Sequence, residues 1–167
     1  MSTSDRLLLI LHIGFAIFTL GPLTAATMST PRYIRKRNVT VVRYLHRTTQ
    51  IYGLGTLAIF VFGMALAGDE LAEAWLSVSM TLFIVALVLL LIVERDQRKA
   101  AHLLETAAAS ATAPAAAKDE EAAEGEEKPR EKPTGDVAQV ERGRIAAISG
   151  VVALIWLVIL VLMVWNA

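Results

Sequence analysis

The stretch Pro31–Arg47, PRYIRKRNVTVVRYLHR, decides the fold, because six of its seventeen residues are Arg or Lys. They are Arg32, Arg35, Lys36, Arg37, Arg43 and Arg47. Ahead of it run 25 residues without a formal charge, Leu7–Pro31, and behind it run 21 more, Thr48–Gly68. Roughly 20 apolar residues carry a helix across a ~30 Å hydrocarbon layer, so either flank is long enough to span. A cationic connection between two spans resists translocation and stays in the cytoplasm. The stretch is therefore expected as a loop that orients the rest of the chain.

Outward from this loop the pattern repeats. Span one is placed at about residues 7–30, with a kink expected at Gly21–Pro22, where proline removes a backbone donor and crowds the preceding turn. It is read as a retained span and not a cleaved leader. The residues before it carry Arg6 offset by Asp5, and the run exceeds the ~7–15 residues of a signal-peptide core. Span two is placed at about 48–68. Its helix is free to begin earlier, since Asn38 can cap and Val39–Arg47 contains no breaker. A short acidic connection, GDELAE at Gly68–Glu73, leads to Trp75 and span three at about 74–93. That helix can continue in water through ERDQRKAAHLLE, with Glu94 and Arg98 as an i,i+4 pair.

Composition then changes. Residues 106–141 are rich in Ala, Glu, Lys and Pro and poor in large apolar side chains, so they are expected as a disordered or partly helical linker. Ile145–Ala167 adds 23 uncharged residues, which places the fourth span within 142–167. The expected domain plan is a three-helix membrane unit at 1–105, the linker at 106–141 and a last helix at 142–167. The fold class is an all-α membrane protein with four transmembrane helices. Loops one and three share a side and hold 15 of the 16 basic residues, leaving only Arg6 opposite. Both termini are expected outside and the linker in the cytoplasm, with the chain multi-pass in a membrane.

Chemistry-bearing residues are few. The 167 residues include no cysteine, which excludes disulfides, thiolate metal sites and thiol catalysis. No Asp, Glu, Lys or Arg falls deep within a span, which disfavours a stand-alone transporter or sensor. His12 is the one titratable group expected in the hydrocarbon. It could be an axial haem ligand or a quinone partner. The plainer account is a hydrogen bond to a neighbouring helix, because His46 and His102 lie at or beyond the membrane edge. The six basic residues of loop one can orient the protein, and can also attract an anionic phospholipid such as cardiolipin or a protein partner. Within them, Arg43 and Arg47 stand at i and i+4 as a face for either to read. Nucleic acid is not expected as a partner. Small residues suggest helix packing: Gly14 and Gly21 in span one, Gly53 and Gly63 in span two, and Ala146, Gly150 and Ala153 in span four. Span four, on a long tether, is expected to contact a partner.

The motif L-L-x-L-H-I-G at Leu8–Gly14, Gly21-Pro22-Leu23, the basic connection after Pro31 and the Ala/Glu/Lys/Pro linker resemble a group of small actinobacterial membrane proteins. The likeness is to the accessory-subunit family of respiratory supercomplex association factor 1. Such subunits accompany the cytochrome bcc–aa3 (complex III–IV) supercomplex. The resemblance implies a non-catalytic subunit of a respiratory complex, with no cofactor of its own and with haem and copper in its partner subunits. A small haem- or quinone-binding redox protein using His12 is the alternative from another class. A transporter or sensor is a weaker third.

Overall fold

The computed structural model describes residues 3–112 and 137–166. Four long helices account for nearly all of them: α1 Thr3–Arg35, α2 Val39–Ala67, α3 Ala74–Thr112 and α4 Gln139–Asn166. All four are long and apolar enough to cross a membrane, so the chain is a multi-pass membrane protein by length and composition. A 3-10 turn, Gly68–Ala72, joins α2 to α3. Gly68 sits at φ +48, a conformation that favours a residue without a Cβ.

The basic stretch is not a loop from Pro31 to Arg47, and the earlier helix start that Asn38 allows is the one adopted. Pro31–Arg35 is the last turn of α1 and Val39–Arg47 opens α2, so only Lys36–Asn38 reverses the chain. Neither Pro22 nor Pro31 ends the helix. Continuing past Pro31 forfeits one backbone bond but places Ile34, fully buried, in the core of that end. The reversal is a Schellman closure. The Arg37 amide donates to the Ile34 carbonyl at 2.9 Å and that of Asn38 to the Tyr33 carbonyl at 3.1 Å. Arg37 takes the left-handed position, φ +52, that glycine usually fills. Asn38 then caps α2, its Oδ1 accepting from the Val41 amide at 3.1 Å, as its position suggested.

The helices pack in the ring order α1–α2–α3–α4 and back to α1. At membrane level the core is Ile59, Phe83, Ala86, Val152, Trp156 and Ile159. Ring contacts cross it from α2 to α4: Phe60 to Phe83 at 5.3 Å, and Phe83 edge-on to Trp156 at 5.1 Å. A second core lies at the charged end, built from Ile34, Val42, Val93, Ala100, Ala101, Leu104, Ala138 and Ile145. Helix α3 thus continues well beyond residue 93 as a packed element, where a solvated extension was expected. Its Val93, Gln97, Ala100, Ala101 and Leu104 share one helical face, and two alanines let the neighbouring backbones come close.

Helix α4 is likewise seated. It turns Ile145, Ser149, Val152, Trp156 and Ile159 inward onto α1 and α3. It starts at Gln139, three residues earlier than expected, while α3 runs to Thr112 and takes in the first residues assigned to the linker. The remainder of that linker expectation, residues 113–136, lies outside the described residues.

Candidate functional site: the charged end of the bundle

The polar groups of this end are buried among three helices. Asp96 is 1% exposed and Gln97 fully buried, both on α3. Gln97 Nε2 donates to Thr30 Oγ1 of α1 at 2.7 Å, and Thr30 passes the bond on to the Ala26 carbonyl at 2.8 Å. Gln97 Oε1 has no protein partner among the described residues. Arg144 of α4 brings its Nε to 3.2 Å from Asp96 Oδ2. That oxygen has no aligned hydrogen bond, so the contact is an ion pair held by charge and not by direction. One turn earlier on α4, Glu141 accepts from Lys99 Nζ at 2.7 Å. Two ion pairs and one hydrogen-bonded relay therefore lock α4 and α1 onto α3. Half-exposed pairs add little by themselves, but the carboxylate of Asp96 is out of water and needs its cation.

The six cations expected as a single contact patch have separate fates. Arg43 pairs across to Glu105 on α3. Lys36 lies over the Tyr33 ring at 5.9 Å from its centre. Arg37 gives its backbone to the chain reversal and keeps its side chain exposed. Arg47 lines a shallow groove of about 300 Å³ along α2 with Val39, Thr40, Arg43 and Tyr44. Arg32 and Arg35 line another, about 330 Å³, which runs between α1 and α4 and is completed by Pro31, Arg142, Gly143 and Ala146. The chain order hid this second groove, because Arg142 lies far along the sequence and counted there only toward topology. Asp96, Gln97, Lys99 and Glu141 were also unmarked. Their one legible signal is that Asp96 and Gln97 fall on or beside the stripe Val93–Ala100–Leu104.

His12 and the glycines act at the other levels of the bundle. His12 Nδ1 lies 2.9 Å from the main-chain carbonyl of Ile59 on α2, so the proton sits on Nδ1 and the ring donates. The contact depends on Gly63, where an added Cβ would stand 2.9 Å from His12 Cε1. Gly53 faces Leu90 at 3.4 Å and Gly55 faces Thr19 at 3.1 Å by the same measure. Gly14, Gly21 and Gly150 have nothing within 4 Å there, and Ala146 is exposed with Ala153 half-buried. Close approach of α1 to α2 therefore uses Gly55 and Gly63, and on α4 Ser149 lies on the inward seam while Ala146 and Gly150 do not. At the mouth of α2, His46 Nε2 stands 3.5 Å from Glu94 Oε1, which also accepts from Gln50 at 3.0 Å. Among the described residues no three His, Asp or Glu side chains are grouped to hold a metal ion.

No family model, curated protein or solved structure matches this chain.

Proposed function

We propose that the chain is a non-catalytic accessory or structural subunit of a bacterial respiratory membrane complex, of the complex III–IV (bcc–aa3) type. It would sit in the inner membrane with both termini outside and act through helix packing and lipid contact. The observation that carries this reading is the division of labour on α4. Its inward seam is Ile145, Ser149, Val152, Trp156 and Ile159, whereas Ala146 and Gly150 lie on a neighbouring edge that the bundle leaves open. In lipid, such an edge lets another helix approach closely, where packing replaces the hydrophobic drive.

Gentle detergent extraction followed by a native mass measurement tests this. The expected result is a larger assembly that contains haem-bearing subunits. Gly150→Leu fills the open edge and is expected to reduce co-purification several-fold, while the isolated variant keeps the parent's unfolding midpoint. Recovery of the chain alone under the same extraction would overturn the reading. An absorbance spectrum of the isolated chain separates it from the redox alternative. No Soret band is expected, and a band abolished by His12→Ala would assign haem to His12 instead.

A further inference from the structure

We propose that the groove between the charged ends of α1 and α4 binds the phosphate headgroup of an anionic phospholipid, through Arg32, Arg35 and Arg142. The groove is about 330 Å³, and these three side chains line it from two helices. A guanidinium presents paired N–H donors in a plane, which suits the oxygens of a phosphate diester better than an ammonium does. Arg32 is the first charge after the uncharged run of α1, and Arg142 and Arg144 are the last before that of α4. The cations therefore stand where hydrocarbon gives way to headgroups.

The shape of the groove selects a lipid over a free anion. Gly143, on its wall, has nothing within 4 Å of the position a Cβ would take. Ala146 is exposed about one turn further toward the uncharged segment. A headgroup held by the arginines can thus lay its glycerol and first methylenes along α4 without displacing a side chain. The groove along α2 lacks this construction. Its lining comes from one helix. A headgroup seated between α1 and α4 would clamp the last helix to the first.

The test uses the full chain in mild detergent, with native mass spectrometry of retained phosphatidylglycerol and, in parallel, phosphatidylcholine. With about 1 kcal/mol per juxtamembrane cation, Arg32→Gln with Arg35→Gln is expected to lower phosphatidylglycerol retention by roughly tenfold or more. Arg142→Gln alone is expected to lower it by about fivefold on the same scale. The charge-matched control, Arg43→Gln with Arg47→Gln, should change retention less than about twofold if the groove and not diffuse charge binds the lipid. Phosphatidylcholine retention should be the same in all four proteins. Equal losses in the groove variants and the control would overturn the proposal, as would complete displacement of the lipid by millimolar inorganic phosphate. If the double Gln variant does not fold, Arg32→Lys with Arg35→Lys carries the test: it keeps the charge but not the fork. A several-fold loss then supports the site, and undiminished retention overturns it. The isolated chain suffices for these measurements, so they stand or fall separately from the accessory-subunit reading.

Discussion

At the scale of single residues, His12 and Gly63 solve one problem together. An imidazole in an apolar layer must place its N–H on an acceptor, and unmet donors there cost several kcal/mol. The acceptor reached is the Ile59 carbonyl, and only a residue without a Cβ at position 63 leaves room for the ring. Gly63→Ala should therefore push the ring off its carbonyl and cost about 1–3 kcal/mol, as overpacked sites do. His12→Ala should cost about 1 kcal/mol, near the upper range of measured interhelical bonds in membranes. The double variant should cost clearly less than the sum, because once the ring is gone the new methyl meets nothing. Unfolding of the three variants in detergent micelles measures this coupling. Strict additivity would show that the two positions act independently. Sequence placed His12 in the hydrocarbon and offered a helix-to-helix bond as its plainer role. It could not name Ile59, because a main-chain acceptor leaves no mark in the residue pattern.

At the scale of elements, the charged end of α3 is the part that composition misjudged. Glu94–Glu105 looks solvated because seven of its twelve residues are charged or amide-bearing. Yet Asp96 and Gln97 are buried and Leu104 is 2% exposed. The cue was present in the spacing of Val93, Ala100 and Leu104, but alanine is too small for hydrophobicity alone to announce a packed face. The basic stretch was misjudged for a related reason. Pro31 and the cations after it signal a boundary, whereas the burial of Ile34 and Val42 rewards helix on both sides of a three-residue turn. If α3 packs here, Leu104→Ala should destabilise this end by about 2–4 kcal/mol through a lost side chain and the cavity left behind. Leu103→Ala, at a residue 39% exposed, should change stability by no more than about 0.5 kcal/mol. Amide exchange over residues 94–112 reads both. Faster exchange in the first variant alone is the expected pattern, and equal protection in both would mean that the extension is held by helix propensity and not by packing.

At the scale of the molecule, four apolar runs were legible because each exceeds what a soluble core of this size needs, and all four are helices long enough to span. The arrangement adds what the runs alone left open. The α1–α2 turn, the far half of α3 and the start of α4 meet at one end, joined by Arg43–Glu105, Arg144–Asp96 and Lys99–Glu141. The opposite end holds the start of α1, the 3-10 turn and the last turn of α4. The proposed orientation, with this end in the cytoplasm, rests on the distribution of cations. An end crowded with arginine and lysine resists translocation, and the other offers Arg6 alone. The absence of cysteine makes the orientation directly measurable, since any thiol introduced is the only one. Ser4 lies exposed at the start of α1 and Ser110 lies exposed near the end of α3. In intact cells, Ser4→Cys should react with a membrane-impermeant maleimide, and Ser110→Cys should react only after the membrane is opened. The reverse pattern would invert the molecule and put the arginine-lined groove in the outer leaflet. Labelling of both sites in intact cells would mean that one of α1, α2 and α3 does not cross.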